Sequence, residues 1–110
     1  MVIARTEELV SHAIERMRKY KISQIPVVDV TGFVGSVDES LLFQSYITDK
    51  NTADRPLREI MGAPFPIVPM GTPIEEVSKL FTRENAAVLI DLGNGNHHII
   101  TKYDIIGSIK

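Results

Sequence analysis

An internal repeat constrains the fold of this sequence more than any other feature. Residues 13–29 (AIERMRKYKISQIPVVD) align with residues 77–91 (VSKLFTRENAAVLID), with a two-residue gap. Residues 35–42 (GSVDESLL) align with residues 98–106 (HIITKYDII). The period of about sixty residues is too long for a solenoid unit, so two copies predict one pseudo-symmetric module with a shared core. The alternative is that any two strand–turn–helix segments look alike, although here the order matches over most of the chain.

Length and composition indicate one compact domain and exclude several classes of protein. The 110 residues suffice for a hydrophobic core, and 44% hydrophobic with 24% charged residues is ordinary for a globular protein. A formal net charge of −2 argues against a nucleic-acid partner, and the lack of cysteine excludes disulfides and thiolate metal sites. No apolar run approaches the ~20 residues that cross a bilayer, and the N-terminus lacks a signal-peptide pattern. We expect a cytoplasmic protein or fragment without a membrane partner.

The first half of the chain predicts a helix, a strand, a turn, a second strand and a second helix. The first helix is expected over about residues 6–20, where apolar residues recur at three- and four-residue spacings: Leu9, Val10, Ala13, Ile14 and Met17. The β-prone run KISQIPVVDV predicts a strand with Pro26 at or near its start. Thr31 and Gly32 supply a tight turn before the short strand FVGSV, and Asp38 is a good N-cap for the next helix.

The second half repeats this order after a polar stretch. Residues 48–55 (TDKNTADR) have no periodicity and are the best candidate for a linker. A short helical turn in PLREIMGAP and an extended segment, FPIVP, precede a helix for which Thr72 is the predicted cap. The strands AAVLID and HHII and the helix TKYDIIGSI follow. The first half has no obvious counterpart of FPIVP, so we expect its leading segment to be missing.

These motifs resemble a tandem pair of CBS domains, often called a Bateman module. ISQIPVVD resembles the family's apolar-x-x-apolar-Pro-Val-Val-Asp strand, and GSV and HIITKYD resemble its closing Gly-apolar-apolar-Thr-x-x-Asp segment. EIMGAPFPIVPMGTPIEEVSKLF resembles the inter-domain Met segment and the helix start that follows it. The second half is also similar to the C-terminal regulatory module of bacterial cystathionine β-synthase-like enzymes, which use pyridoxal phosphate.

The resemblance implies an α+β fold of two β-α-β-β-α CBS repeats packed sheet to sheet with pseudo-two-fold symmetry, the first repeat lacking its leading segment. The predicted division is a first repeat over residues 1–48, a linker over 49–56 and a second repeat over 57–110. In the family, two related clefts between the repeats bind adenosyl compounds: AMP, ADP, ATP or S-adenosylmethionine. Each cleft combines the Pro-Val-Val strand region of one repeat with the Thr-x-x-Asp of the other.

The first implied cleft has coherent chemistry for an adenosyl ligand. Its predicted ligand-binding residues are Ile22, Ser23, Gln24, Ile25, Ile99, Thr101, Tyr103 and Asp104. The isoleucines can sandwich a purine, and backbone groups around Ser23 and Gln24 can contact the adenine edge. Asp104 can accept hydrogen bonds from both ribose hydroxyls, while Thr101 and the helix N-terminus can hold a phosphate. The alternative is a capping box beside a core strand, and the two interpretations are compatible.

The second implied cleft departs from the family pattern at both ligand positions. It would join Asn85, Ala86 and Ala87 to Asp38 and Leu41. Leu41 cannot accept a ribose hydroxyl, and Asp38 places an anion where a phosphate would lie. At an effective dielectric of ~20, like charges ~4 Å apart repel by about 4 kcal/mol. We expect this cleft to bind no phosphorylated nucleotide. Asp38 does not exclude a cationic ligand such as S-adenosylmethionine, although the lost ribose acceptor counts against it.

No other motif predicts chemistry. His97 and His98 are adjacent on a strand and face opposite sides, so without cysteine or a third ligand nearby a solvated hairpin is favoured over a metal site. The GNGN stretch opens no helix and is not a dinucleotide fingerprint, and no serine lies in a nucleophile-elbow context. We therefore predict neither catalytic nor metal-binding residues.

The sequence thus predicts a regulatory ligand-binding module and not an enzyme. It would sense an adenosyl ligand, carry no covalent cofactor, and control a cystathionine β-synthase-like catalytic domain in the parent chain or a partner enzyme. The resemblance also implies a homodimer, to which amphipathic helices such as residues 41–47 can contribute apolar faces. The rival hypothesis is a structural dimerisation module without a bound ligand.

Overall fold

The computed structural model describes residues 1–108 and has the mixed α+β architecture that the sequence predicts. It contains two three-stranded sheets, one from each half of the chain. Val2–Pro64 forms one compact unit, and a second unit begins at Phe65. Within residues 1–108, no helix has both the length and the apolar character needed to cross a membrane.

The first unit has the order β-α-β-β-α. Its elements are β1 (Ala4–Arg5), α1 (Val10–Tyr20), β2 (Gln24–Asp29), β3 (Gly32–Asp38) and α2 (Glu39–Thr48). Two 3-10 turns follow, at Thr52–Asp54 and Leu57–Glu59. In the sheet, β2 lies between β1, to which it is parallel, and β3, to which it is antiparallel.

The second unit has the same order of elements and the same sheet topology. Its elements are β4 (Ile67–Pro69), α3 (Ile74–Ser78), β5 (Ala87–Gly93), β6 (Asn96–Thr101) and α4 (Lys102–Gly107). The central strand β5 pairs in parallel with β4 and antiparallel with β6. The end of the predicted last helix, at residues 109–110, lies outside the described residues.

The expectation that the first repeat lacks its leading segment is wrong. β1 supplies this segment and pairs with β2 through Ala4 opposite Val27. The equivalent pair in the second unit is Ile67 opposite Leu89. β1 has two residues where β4 has three, and it lacks the flanking prolines that mark the second segment in the sequence.

The helix α1 begins at Val10, four residues later than its predicted start. The backbone before it pairs with the chain that follows α2. The Leu57 N–H donates to the Glu8 carbonyl at 2.8 Å, and Leu9 forms an isolated antiparallel bridge with Pro56. This pairing uses carbonyl groups that helical hydrogen bonds would need, so α1 starts only after it. The apolar periodicity of the sequence therefore begins before the helix does.

The polar stretch over residues 49–56 packs on the first unit. The Thr52 side chain is buried, and its hydroxyl oxygen lies 2.6 Å from that of Ser45 in α2. The Arg55 carbonyl accepts from the Val10 N–H at 2.9 Å, at the start of α1. These contacts hold the stretch against two helices of one unit, while the division into repeats and linker stays a prediction.

The segment after the second 3-10 turn covers the outer edge of β3. Ser36 and Gly62 form an antiparallel bridge, with N–H···O distances of 3.1 and 2.9 Å. The Ser36 hydroxyl also donates to the Ala63 carbonyl at 2.6 Å. An edge strand with unpaired backbone groups invites non-native pairing, so this segment protects the first sheet.

Each unit has its own set of buried apolar side chains. The core of the first unit consists of fully or almost fully buried residues from β1, α1, β2, β3 and the second 3-10 turn: Ala4, Val10, Ala13, Met17, Ile25, Val27, Val37 and Leu57. In the second unit the buried apolar residues are Phe65, Val77, Ala87, Val88 and Leu89. Consecutive buried residues in β2 and β5 mean that both faces of these strands are covered.

The helix α3 is shorter than its apolar stripe predicts. It ends at Ser78 and has Pro73, not Thr72, at the N-cap position. The Thr72 hydroxyl donates to the Pro69 carbonyl at 2.7 Å and so closes the turn after β4. Leu80 and Phe81 follow the helix in a turn, where the Leu80 N–H donates to the Val77 carbonyl.

The aspartates that end the repeated strand motif both stabilise turns. Asp29 accepts from the hydroxyl and the N–H of Thr31, at 2.5 and 2.7 Å, and Asp91 accepts from the Gly93 N–H at 2.8 Å. The Thr31 hydroxyl, and then its N–H, hold the pKa of the Asp29 carboxyl below its ordinary value of 3.8. A lowered folded-state pKa means that this stabilisation is present above the unfolded-state pKa and is lost as pH falls through the folded-state value.

Candidate functional site

The predicted residues of the first unit lie together in the turn between α1 and β2. Lys21 adopts a left-handed conformation (φ 54°) after the last residue of α1. The Ile22 N–H then donates to the Met17 carbonyl at 3.0 Å, which is the pattern of a Schellman C-cap. The cap reverses the chain sharply, so Ser23 follows directly and Gln24 begins the strand.

The polar groups of this turn already have partners. The Ser23 hydroxyl donates to the Gln24 Oε1 at 2.9 Å, which leaves the amide nitrogen of Gln24 as the donor end of its side chain. The Ser23 carbonyl accepts from the N–H of Glu39, the first residue of α2, at 3.2 Å. The turn is therefore hydrogen-bonded to the end of one helix and to the start of the next.

The two predicted isoleucines of the first unit have different environments. Ile22 is half-buried and packs against the core of the first unit. Ile25 is fully buried within that core. In this structure Ile25 contributes packing, while Ile22 offers part of an apolar surface, and the role of either in ligand binding stays a prediction.

The predicted residues of the second unit lie at the junction of β6 and α4. Thr101 is the N-cap of α4, and Asp104 is its third helical residue. The Asp104 Oδ2 accepts from the Thr101 N–H at 2.8 Å and from the Thr101 hydroxyl at 3.2 Å. Asp104 therefore has the reach-back contact of a capping box, as the sequence predicts, and its side chain is exposed to solvent.

The surroundings of Asp104 are mixed in character. Ile99 is half-buried on β6, whereas Tyr103 is 82% exposed. The α4 helix has six residues, which is too short for a strong helix dipole at Thr101. An exposed carboxylate and an exposed aromatic ring are thus the main chemical features at this junction.

The corresponding residues of the first unit have no equivalent chemistry. Asp38 is the N-cap of α2, as predicted, and its Oδ1 accepts from the Leu41 N–H at 2.9 Å. Leu41, at the position of Asp104, packs against the core of the first unit. Asn85 in the second unit donates through its side-chain amide to the Leu80 carbonyl at 2.6 Å. These groups have structural roles, and the prediction that they bind no phosphorylated nucleotide remains to be tested.

The structure groups the eight predicted residues by unit: Ile22, Ser23, Gln24 and Ile25 in one local cluster, and Ile99, Thr101, Tyr103 and Asp104 in another. Sequence analysis missed the bond between Glu39 and Ser23, because no local pattern signals a hydrogen bond across sixteen positions. Among the described residues, no group of three or more histidine, cysteine, aspartate or glutamate side chains is arranged to hold a metal ion.

Comparison with solved structures shows the same fold in several proteins of low sequence identity. A CBS-domain protein from Burkholderia ambifaria MC40-6 is 23% identical, with a TM-score of 0.83 over 98% of this chain and 81% of that one. The CBS-domain protein ATU1752 from Agrobacterium tumefaciens is 16% identical, with a TM-score of 0.86 over 98% and 88%. The CBS domain pair of protein MJ0100, solved with 5′-methylthioadenosine and S-adenosyl-L-methionine, is 19% identical, with a TM-score of 0.79 over 96% and 88%.

A comparison with curated proteins gives no match. The sequence model of the CBS domain, however, matches residues 1–46 and again residues 57–110. Together the two matches include most of the chain: the first runs from β1 into α2, and the second contains β4, α3, β5, β6 and α4. The chain therefore belongs to the CBS domain family and is a tandem pair of CBS domains.

Proposed function

We propose that this chain is a regulatory module that binds an adenosyl ligand, AMP, ADP, ATP or S-adenosylmethionine, and not an enzyme. The observation that carries the proposal is the retention of Thr101 and Asp104 at one helix start, where the other repeat has Asp38 and Leu41. The complex of the related MJ0100 domain pair supports this class of ligand. One exposed carboxylate can accept hydrogen bonds from two ribose hydroxyls at once.

In this proposal the ligand-binding residues belong to two segments of the chain, Ile22–Ile25 and Ile99–Asp104. In this proposal Asp104 binds the ribose, and backbone groups of Ser23 and Gln24 contact the adenine edge. The exposed ring of Tyr103 covers one side of the ligand, with Ile22 and Ile99 as apolar contacts. The second cleft, with Asp38 and Leu41, has no role in nucleotide binding.

The proposed output is control of an enzyme, either attached to this module or bound by it. In this proposal the target is a pyridoxal-phosphate-dependent, cystathionine β-synthase-like enzyme of the cytoplasm, as the sequence resemblance of the second half implies. Regulation requires that the ligand bind two states of the module with different affinity. A structural dimerisation module without ligand is the competing function, and it makes the opposite prediction for ligand binding.

We expect calorimetry to give one adenosyl site per chain. The reason is that Asp104 can accept ribose hydroxyls, whereas Leu41 at the equivalent position of the other repeat cannot. Titration with AMP, ADP, ATP and S-adenosylmethionine in turn tests this expectation. A ligand at a hundred times its Kd raises the free energy of unfolding by about 2.7 kcal/mol, which a thermal melt detects. Two equivalent nucleotide sites would contradict the asymmetry, and no binding by any of the four compounds would favour the structural function.

We also propose a homodimer that uses the exposed face of α2. Phe43, Tyr46 and Ile47 are each more than half exposed, which leaves three large apolar side chains of one helix in water. Light scattering at micromolar concentration is expected to give twice the chain mass. Phe43→Glu should give the monomer mass, because a charge buried in an apolar interface is costly.

The matched control is Val30→Glu, which adds the same charge at a fully exposed valine in the turn between β2 and β3. This variant should remain dimeric. A wild-type chain that scatters as a monomer at micromolar concentration would refute the dimer, and dissociation by both variants would refute the role of α2.

A further inference from the structure

Gln24 occupies a position at which this fold does not need a polar side chain. It begins β2 and is 7% exposed, whereas most glutamine side chains lie in water. Gln24 lies opposite Asp38, the N-cap of α2. In the second unit Ala87 lies opposite Thr101, the N-cap of α4, so Ala87 is the equivalent residue. Ala87 is fully buried, which shows that a small apolar side chain is sufficient at this position.

The buried amide of Gln24 is satisfied differently from the other buried polar side chains. Within residues 1–108 these side chains are those of Gln24, Ser36 and Thr52. The hydroxyls of Ser36 and Thr52 each donate to a backbone carbonyl of the same unit. Gln24 instead accepts, through Oε1, from the hydroxyl of the adjacent Ser23 at 2.9 Å. This bond uses the oxygen end of the amide and leaves the two N–H donors of Nε2.

The Nε2 group of Gln24 is accessible although most of the side chain is buried. In the described part of the chain, Nε2 has no hydrogen-bond acceptor. Among the same residues, no polar side-chain atom is both buried and without a hydrogen-bond partner. Nε2 therefore lies at the small part of Gln24 that reaches solvent, where water or a ligand can accept from it. The rest of the side chain is held by packing and by Ser23.

We infer that the side-chain amide of Gln24 recognises the adenine base by donating a hydrogen bond to one of its ring nitrogens. This inference rests on the proposed function, in which the backbone of Ser23 and Gln24 contacts the adenine edge, and it adds a side chain to that contact. The ring nitrogens of adenine are acceptors, and glutamine is a frequent partner of this base. AMP, ADP, ATP and S-adenosylmethionine all contain adenine, so the contact serves each of them.

Ser23 is the positioning residue of this contact. Its hydroxyl holds Oε1, so the nitrogen end of the amide is the end presented to a ligand. A site built to donate a hydrogen bond discriminates against a ligand that lacks the acceptor, because the donor is then left unpaired when the ligand displaces water. Ala87 supplies no such donor in the second repeat. Gln24 is therefore a second difference between the repeats, besides Asp104.

Purine analogues test the contact one ring position at a time. Calorimetry compares AMP with three forms of AMP in which the purine nitrogen N1, N3 or N7 is replaced by C–H. If the wild type binds S-adenosylmethionine and not AMP, the same three changes are made in S-adenosylmethionine. One replacement is expected to weaken wild-type binding by about fivefold or more, the effect of one lost hydrogen bond. In Gln24→Met, which keeps an unbranched side chain but has no amide, that replacement should change Kd by less than about twofold.

Gln44→Met is the matched control, because Gln44 is the other glutamine of the chain and lies exposed on α2. This variant should show the same loss of affinity as the wild type. NMR of the side-chain amide protons gives a second readout that needs no substitution. Saturation with the tightest-binding compound should shift the Gln24 amide signals and leave those of Gln44 in place. The analogue without the accepting nitrogen should not produce the Gln24 shift.

Several results would overturn the inference. If each replacement weakens the wild type and Gln24→Met equally, this amide does not contact a ring nitrogen. A serine hydroxyl can also accept, so a purine nucleotide without the exocyclic amino group tests the opposite amide orientation. A loss of affinity for that compound that depends on Gln24 would show that the amide presents its oxygen, and the donor assignment would be wrong.

Two further outcomes are separated by the same measurements. Should Gln24→Met lose its cooperative melt, the wild-type amide signals decide the question, and Gln24 signals that saturation does not move would refute the contact. If the wild type binds none of the four adenosyl compounds, the proposed function fails, and the inference fails with it. Binding that is independent of Gln24 would instead overturn the inference alone.

Discussion

Asp104→Ala is expected to abolish ligand binding and to leave the fold almost unchanged. Asp104 has two separable roles, because its Oδ2 accepts from Thr101 and the exposed carboxylate also supplies the proposed ribose acceptor. Loss of the capping contact should lower the free energy of unfolding by roughly 1 kcal/mol, since Thr101 remains at the N-cap. Loss of two charge-assisted bonds to ribose should weaken binding by about 3 kcal/mol or more, over a hundredfold in Kd.

Asp91→Ala is the matched control for this experiment. Asp91 is also an exposed aspartate of the second unit that accepts from a backbone N–H, that of Gly93, at 2.8 Å. The two variants therefore change the net charge equally and each lose a local backbone contact. Calorimetry should show a normal Kd for Asp91→Ala and no measurable binding for Asp104→Ala. A much lower melting temperature with an unchanged Kd for Asp104→Ala would make Asp104 a helix cap alone.

The elements and their order could be predicted from sequence because each depends on local chemistry. Alternating and consecutive apolar residues mark β2 and β5, whose faces are covered, and Asp38 marks the start of α2 through a bond within three residues. The repeat strengthened these predictions, since a weak signal in one half had a counterpart in the other. These local predictions together give the order of strands and helices that both units have.

Features that depend on contacts distant in the sequence were predicted poorly. β1 has two residues and was missed, because such a short strand is defined by its pairing with β2 and not by its own pattern. The start of α1 was placed too early for the same reason. Residues 6–9 have a helical periodicity, but Leu57 and its neighbours take their backbone groups into pairing.

The candidate site shows the same division. Thr101 and Asp104 were identified as a cap, and the structure confirms that contact, because a capping box is a local arrangement. The full burial of Ile25 and the bond from Glu39 to Ser23 could not be predicted from sequence. The bond continues the register in which Gln24 of β2 lies opposite Asp38 of β3, and Ile25 is buried in the core that β2 shares with α1 and β3. The sequence therefore identified residues with suitable chemistry but not the neighbours that constrain them.

The edge of β3 provides the second prediction with a large effect. Gly35 lies where the segment after the second 3-10 turn crosses this edge. A methyl group added at Gly35 would lie 2.8 Å from the Met61 Cγ, still closer to its Sδ, and 3.0 Å from the Gly62 carbonyl oxygen. Met61 can move in part because its side chain is flexible, but the Gly62 carbonyl belongs to the bridge with Ser36 and cannot.

Gly35→Ala is therefore expected to lower the free energy of unfolding by about 1–3 kcal/mol, the usual cost of overpacking. Gly107→Ala is the matched control, because nothing lies within 4 Å of an added methyl group in α4 and alanine is the better helix former.

Chemical denaturation of both variants, of Met61→Ala and of the double variant Gly35→Ala with Met61→Ala gives a double-mutant cycle. If Met61 causes most of the clash, the double variant should recover stability relative to the sum of the single changes, with a coupling of about 1 kcal/mol or more. A Gly35→Ala protein as stable as the wild type would instead show that the segment at residues 60–63 lifts from β3 without cost, and that it does not hold this edge of the sheet.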